Sequence, residues 1–146
     1  MTSLYSRILV PLDISAADEA VLEYIRPLAR LTHAKLTLIH VADGFMARNQ
    51  QRLGESEEMR QDRDYLERRT EELRGEGFDA DAVLACGEPV KEIIACADRG
   101  DYDLIAMGTH GHRFPADLIL GSVASGVRHS TTIPILLVPS KGRPRT

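Results

Sequence analysis

Five short apolar segments alternate along the chain with longer stretches of helical periodicity. Each segment is rich in aliphatic residues and bounded by Gly, Pro, Asp or Ser, as β-strands are. A regular strand–helix–strand order implies parallel strands with right-handed crossovers and helices on both faces of the sheet. We therefore predict a doubly wound α/β fold with a five-stranded parallel sheet. The predicted strands are Arg7–Asp13, Ala34–Val41, Asp79–Cys86, Asp103–Gly108 and Ile133–Val138.

Four helices are predicted between these strands. Ser15 followed by Asp18 resembles a capping box, which indicates a helix start, and Pro27 is expected to kink or shorten that helix near its end. A second helix, from about Glu55 to Arg74, is highly charged with a thin apolar stripe, so it is expected to lie on the surface. The other two helices are predicted from Pro89 to Gly100 and from Ser122 to His129.

The composition of each strand indicates its position in the sheet. The first and fourth strands are continuously apolar, as strands covered on both faces are, and are expected at the centre. The third strand begins with alternating Asp and Ala, which is typical of an edge. The fifth, Ile133–Val138, is fully apolar, and a long apolar edge invites pairing with another chain. Two interpretations stay open for this strand: cover by a helix or loop, or the seam of a homodimer.

Length and charge narrow the functional classes. The 146 residues correspond to a single domain. A net charge of -4 and an aromatic content of 5% argue against a nucleic-acid partner, because phosphate and base contacts need basic and aromatic surfaces. No signal peptide is recognised at the start, and no apolar run approaches the roughly 18 residues that span a membrane. We expect a cytoplasmic protein with reduced thiols at Cys86 and Cys96.

Asp13 and Gly108 are candidate binding residues because each closes a central strand. In open α/β sheets a ligand lies beyond the carboxyl ends of the strands, where the strand order reverses. The first strand ends at Asp13 and the fourth at Gly108, so these residues are expected to meet in one crevice. The alternative interpretation of Asp13 is a cap for the turn that follows it.

Three glycines and a serine follow the fourth strand at a spacing that indicates phosphate binding. Gly108 and Gly111 are followed, after nine residues, by Gly121 and Ser122 at a predicted helix start. Glycines let the backbone approach a phosphate, and the amides and dipole of a helix start favour negative charge. The alternative is a set of turn glycines with a serine N-cap.

Five motifs of the chain occur together in one known family: Ile8–Asp13, Leu38–Val41, Gly87–Pro89, Asp103–Gly111 and Gly121–Ala124. On these motifs the chain resembles the universal stress protein family, in particular its ATP-binding branch, over about residues 6 to 139. That branch has the pattern Gly, two residues, Gly, nine residues, Gly, Ser or Thr. The resemblance implies the strand order 3-2-1-4-5, which agrees with the strand compositions, and a homodimer formed through the last strand.

The resemblance also implies an adenine nucleotide as ligand: ATP, ADP or AMP, with or without Mg²⁺. Asp13 would contact the ribose hydroxyls or the nucleotide-bound Mg²⁺, the main chain of Val41 would contact adenine, and the glycines with Ser122 would hold the phosphates. Many members carry a cation directly after the second glycine, and here Arg113 is expected to supply it one position later. The full predicted binding set is Pro11, Asp13, Val41, Gly108, His110, Gly111, His112, Arg113, Gly121, Ser122 and Val123.

Three histidines near these motifs have simpler interpretations. His40 is expected to be a packed strand residue. His110 and His112 are expected to be solvent-facing or to donate hydrogen bonds near a phosphate. The alternative for these two, a metal site, lacks a visible third ligand.

The function expected from this set is a dimeric, nucleotide-binding regulatory protein of the stress response, with an unknown protein partner. Slow ATP hydrolysis or nucleotidyl transfer is one alternative, although the chain has no GxxxxGK[ST] loop and no lysine near the glycines. A nucleotide-free dimeric interaction module is a second. A phosphoacceptor domain is a third, and it needs a carboxylate cluster, whereas Asp13 has no acidic neighbour in the sequence before Asp18. No residue is predicted to be catalytic.

Overall fold

A computed structural model describes residues 4–43, 57–109 and 120–139, and within these ranges strands and helices alternate as the sequence predicts. The strands are β1 (Arg7–Pro11), β2 (Lys35–Asp43), β3 (Asp79–Gly87), β4 (Leu104–Gly108) and β5 (Ile135–Val138). The helices are α1 (Ala17–Thr32), α2 (Glu57–Gly75), α3 (Pro89–Arg99) and α4 (Ser122–Ser130).

The five strands form one parallel sheet in the order β3-β2-β1-β4-β5, which confirms the predicted topology. β1 lies at the centre, with β2 on one side and β4 on the other. The chain therefore winds outward from β1 in one direction and, after β3, returns to β4 and continues in the other. The carboxyl ends of β1 and β4 form the switch point where a crevice is expected.

Two hydrophobic layers cover the two faces of the sheet and explain the continuously apolar central strands. Ile8 and Val10 pack on one face with residues of α1 and α2, whereas Leu9 packs on the other with residues of α3 and α4. All three side chains have no exposed surface. Side chains alternate between the faces of a strand, so a strand buried on both must be apolar at every position.

Helix α1 continues through Pro27, so the prediction that this proline shortens the helix is wrong. The helix runs on to Thr32 and ends at His33, which adopts left-handed backbone and donates its N–H to the carbonyl of Ala29. Proline inside a helix costs about 3 kcal/mol. The apolar face of α1 outweighs this cost, because each buried aliphatic side chain contributes about 1.5–3 kcal/mol. The residues of that face include Val21, Leu22, Ile25 and Ala29.

Helix α2 lies on the surface, as its charge predicts. Among its 19 residues only Leu66, Thr70 and Leu73 are fully buried. Across the described ranges, no helix combines the length and apolar character needed to cross a membrane.

Candidate functional site

A pocket opens at the carboxyl ends of β1, β2 and β4. The pocket lies at the switch point, and its sides are closed by the first turns of α1, α3 and α4. Its lining residues are Pro11, Leu12, Asp13, Ala17, Asp18, Val21, Ile39, His40, Val41, Pro89, Ile93, Met107, Gly108, Val123 and Ala124.

Five residues of the predicted set line this pocket: Pro11, Asp13, Val41, Gly108 and Val123. The structure thus brings together Asp13 and Gly108, which lie 95 positions apart in the sequence. Gly121 and Ser122 stand directly beside the lining residue Val123, at the start of α4, but do not line the pocket themselves. His110, Gly111, His112 and Arg113 lie outside the described residues.

The amide of Gly121 is already engaged, which corrects one part of the predicted phosphate site. It donates to the carbonyl of Thr109 at 2.7 Å, and the Thr109 amide donates in turn to Val138. These bonds hold Thr109 and Gly121 together, and Thr109 against Val138, beside Gly108. The amide donors that this end of α4 can offer a ligand therefore start after Gly121, at Ser122 and Val123.

The main chain of Val41 borders the pocket because β1 is shorter than β2. The amide of Leu12 donates to the carbonyl of Ile39, so Ile39 directs its main-chain groups toward β1. Alternate residues of a strand direct their groups to the same side, so Val41 does likewise. β1 ends at Pro11, which pairs with Ile39, and the pocket lies beyond that pair. Val41 is thus placed to present an N–H and a carbonyl to a ligand.

One carboxylate oxygen of Asp13 has no hydrogen-bond partner in the described part of the chain. Its Oδ1 accepts a hydrogen bond from the hydroxyl of Ser15. Its Oδ2 is buried and, within residues 4–43, 57–109 and 120–139, has no hydrogen-bond partner. A buried, unpaired charged oxygen is costly. Asp13 is therefore more than a cap for the turn, and its Oδ2 suits a ligand hydroxyl or a cation.

The start of α1 differs from the predicted capping box. The helix begins at Ala17, and Ala16 stands at the N-cap without a side-chain cap. The hydroxyl of Ser15 accepts from the Ala17 amide at 3.2 Å. The carboxylate of Asp18 reaches past Ser15, because the preceding turn exposes the amides of Asp13 and Ile14.

Asp18 is a pocket residue that sequence reasoning missed. It is only 3% exposed, and its carboxylate accepts from both of those amides and from the hydroxyl of Tyr65 at 2.7 Å. Burial raises the pKa of Asp18 to about 6, the Tyr65 hydrogen bond opposes the rise, and the charge of Asp13 adds to it. Asp18, the first acidic residue after Asp13 in the sequence, is thus also its neighbour in space. The sequence signal that could have identified Asp18 is the presence of an acidic residue in the first turn of a predicted helix.

His40 also lines the pocket, so the prediction of a merely packed strand residue is incomplete. Its ring Nδ1 lies 2.8 Å from the carbonyl oxygen of Leu12, and its Nε2 lies 3.4 Å from Oδ2 of Asp62 in α2. The contact to Leu12 indicates that Nδ1 carries a proton, because a carbonyl oxygen can only accept. His40 thereby supports the main chain at the end of β1.

A carboxylate cluster of the phosphoacceptor kind is not formed by the part of the chain that the structure describes. No group of three or more His, Cys, Asp or Glu side chains there could hold a metal ion. Asp13 and Asp18 make a pair, and Asp18 is occupied by its three donors. A cation at Asp13 would need further ligands from a bound molecule.

Comparison with models of protein families shows which family the chain belongs to. The model of the universal stress protein family matches residues 4–139. The chain belongs to the universal stress protein family. The match includes every strand and helix described above, so the family fold is the fold of the whole described molecule.

Relatives within the family are distant in sequence and close in structure. The universal stress proteins MJ0577 of Methanocaldococcus jannaschii and YxiE of Bacillus subtilis are each 26% identical to this chain, over 97% and 92% of it and 99% of each relative. The solved structure of MJ0577 superposes with a TM-score of 0.85 at 27% identity, over 96% of this chain and 99% of that one. A universal stress protein from Archaeoglobus fulgidus, solved in complex with dAMP, superposes with a TM-score of 0.68 at 25% identity, over 92% and 98%.

Proposed function

We propose that this universal stress protein binds an adenine nucleotide in the pocket at the switch point and acts as a regulatory protein of the stress response. The observation that carries the proposal is the buried Oδ2 of Asp13, a pocket-lining residue, which has no hydrogen-bond partner among the residues that the structure describes. The dAMP complex of the Archaeoglobus fulgidus relative supports the choice of ligand class. ATP is the expected physiological species.

Each part of a nucleotide finds matching chemistry along the pocket. The side chains of Ile39, Ile93 and Met107 offer an apolar slot for adenine, and the main chain of Val41 offers it hydrogen-bonding groups. The carboxylate of Asp13 can accept hydrogen bonds from ribose hydroxyls or take part in holding Mg²⁺ that arrives with the phosphates. Phosphates would then lie toward Gly108 and the amino-terminal end of α4, whose dipole favours negative charge.

Calorimetric titration of nucleotide-stripped protein tests the proposal. We expect AMP, ADP and ATP, with and without Mg²⁺, to bind, and GMP to bind at least about tenfold more weakly, because the main-chain groups at Val41 meet a different donor–acceptor edge. Absence of heat with every adenine nucleotide at millimolar concentration would reject the proposal.

The protein is further proposed to act as a homodimer formed through β5. This strand lies at the sheet edge, is apolar throughout, and leaves Ile135, Leu136 and Leu137 only partly buried in the single chain. An apolar edge of this kind is a site for pairing with a second strand. A regulatory protein partner would then bind the nucleotide-loaded dimer.

A further inference from the structure

The turn that joins β1 to α1 places a β-branched residue in left-handed backbone. Ile14 has a φ of 59°. L-amino acids rarely occupy this region, and β-branched residues do so least readily. Such a conformation persists only where surrounding contacts hold it. The contacts that hold Ile14 therefore also determine where its neighbour Asp13 presents the carboxylate.

Asp18 supplies these contacts. Its Oδ1 accepts from the Asp13 amide and its Oδ2 from the Ile14 amide, each at 3.0 Å. The carboxylate is almost fully buried and belongs to the first turn of α1, so both amides are tied to a rigid element. With the Asp13 amide fixed in this way, the side chain has little freedom to turn away from the pocket.

Tyr65 of α2 fixes Asp18 in turn. Its hydroxyl donates to Oδ2 of Asp18 at 2.7 Å, and a hydrogen bond to a charged acceptor is among the stronger ones in proteins. Arg69, one helical turn further along α2, lies over the Tyr65 ring at 5.9 Å from its centroid and pairs with Glu19 of α1. The hydroxyl of Tyr65 is thus held against the beginning of α1.

A second contact ties α2 to the same end of β1. Asp62 lies three residues before Tyr65 and therefore on the same face of the helix. Its carboxylate lies 3.4 Å from His40, whose ring contacts the carbonyl of Leu12. Through His40, α2 thus supports Leu12. Through Asp18, it supports the amides of Asp13 and Ile14.

We propose that Tyr65 and Asp18 are positioning residues of the nucleotide pocket. Tyr65 orients the Asp18 carboxylate, which holds the turn at Ile14 and keeps the Asp13 carboxylate directed at the ligand. The inference rests on the proposed nucleotide binding. Tyr65 lies behind Asp18, outside the pocket lining, so its hydroxyl acts on the ligand only through Asp18.

Calorimetric titration with AMP measures the effect of the hydroxyl. We expect Tyr65→Phe to weaken affinity about fivefold, which is less than the roughly tenfold or greater loss expected when a ligand itself loses a hydrogen bond to a charged group. Tyr24→Phe is the matched control, because Tyr24 is 62% exposed on α1. It is expected to leave the affinity unchanged within about twofold. Equal affinities of Tyr65→Phe and the wild type would overturn the proposal.

A double-mutant cycle tests whether Tyr65 acts through Asp18. Asp18→Asn keeps the side-chain shape but offers one acceptor oxygen in place of two, so it is expected to weaken AMP binding at least as much as Tyr65→Phe. In the Asp18→Asn background, adding Tyr65→Phe should change affinity by less than about twofold. An undiminished fivefold effect in that background would show another route and overturn the proposal. Asp98→Asn, at an exposed position of α3, controls for the lost charge.

Amide measurements without ligand separate this inference from the proposed function. The amides of Asp13 and Ile14 should exchange hydrogen faster in Tyr65→Phe than in the wild type, and in the wild type their chemical shifts should titrate together with the Asp18 carboxyl. Unchanged exchange and flat titration would overturn the positioning role. If the wild type fails to bind AMP, the proposed function is rejected, and these amide data still decide whether Tyr65 and Asp18 hold the turn. The wild-type titration needs no variant to fold.

Discussion

At the residue scale, the carboxylate of Asp13 is expected to lower the stability of the ligand-free protein and to contribute to ligand binding. One carboxylate oxygen is buried without a partner in the described chain, and the carboxylate of Asp18 lies close by. Removing a buried, unsatisfied charge at constant shape should stabilise a protein, whereas removing a ligand contact should weaken binding. These opposite consequences can be measured in one variant.

Asp13→Asn is therefore expected to raise the stability of the nucleotide-free protein by about 1 kcal/mol, or about 2–4 °C in Tm. The same substitution is expected to weaken AMP binding at least about tenfold, because a ligand hydroxyl loses a charged acceptor. Thermal unfolding and calorimetric titration provide the two measurements. A variant that is less stable without ligand and binds AMP normally would identify Asp13 as a structural cap.

Asp18 makes the stability of the protein depend on pH. Burial raises its pKa from 3.8 to about 6 in the folded protein, so the folded state binds the proton more tightly than the unfolded chain does. The resulting stabilisation is complete below the unfolded value and is lost as the pH rises through about 6. Relative to Asp18→Asn, the wild type should lose up to about 3 kcal/mol of unfolding free energy between about pH 4 and 7.

Urea unfolding of both proteins across that pH range gives the difference directly. Because the variant retains every other titrating group, the contributions of groups that do not interact with Asp18 cancel, including that of Glu19, whose hydrogen bond with Arg69 lowers its pKa. A difference that grows in favour of the wild type with rising pH would contradict the expected sign. A difference independent of pH would mean that Asp18 titrates alike in the folded and unfolded chains.

At the element scale, β5 has one side bonded to β4 and one side that no other described strand pairs with. The amides of Ile105 and Thr109 donate to the carbonyls of Pro134 and Val138. Because alternate residues of a strand face the same side, Leu136 also faces β4, whereas Leu137 directs its main chain to the sheet edge. The amide of Leu136 is thus part of the β4–β5 ladder, whereas the amide of Leu137 faces the sheet edge.

Leu137→Pro is expected to dissociate the proposed homodimer, because it removes an amide from the edge without removing one from the β4–β5 ladder. Leu136→Pro is the matched control and should instead destabilise the chain by about 1–3 kcal/mol, since it removes an amide bonded to β4 and leaves its acceptor unsatisfied. Sedimentation velocity measures the oligomeric state, and circular dichroism measures the fold. A wild-type protein that sediments as a monomer at all concentrations would reject the β5 dimer.

The elements also show what sequence patterns can and cannot predict. The central places of β1 and β4 and the edge place of β3 follow from strand composition, because burial on two faces requires apolar residues at every position. The complete strand order was implied by the resemblance to the universal stress protein family, since the apolar β5 lies at an edge. The continuation of α1 past Pro27 does not follow from residue type. It depends on how well the face of the helix opposite this proline packs against the sheet. Local propensity predicts a break there, and tertiary burial overrides it.

The same distinction holds for the site at the scale of the whole molecule. Asp13 and Gly108 were predictable because strand ends and the switch-point rule place them together. The contacts of Asp18 with Tyr65 and of His40 with Asp62 were not, because each joins α2 to a distant part of the chain by side-chain hydrogen bonding or charge pairing. The sequence periodicity of a charged helix does not indicate which of its polar residues face a pocket. The engaged amide of Gly121 likewise depends on a contact with Thr109, which lies twelve positions earlier in the chain.

Thermal unfolding of the whole molecule separates the proposed nucleotide-binding dimer from a nucleotide-free interaction module. A ligand that binds only the folded state adds about 2.7 kcal/mol at a concentration 100 times its Kd, and dimer formation makes Tm rise with protein concentration. The proposed function predicts both dependences, with Tm rising on addition of AMP or ATP and with increasing protein. An interaction module predicts only the second. Because the proposed dimer edge at β5 and the pocket at β1 use different residues, Leu137→Pro should abolish the protein-concentration dependence and keep the response to nucleotide. Asp13→Asn should keep the protein-concentration dependence and reduce the response to nucleotide. A Tm that rises with protein concentration but not with any adenine nucleotide would favour the module.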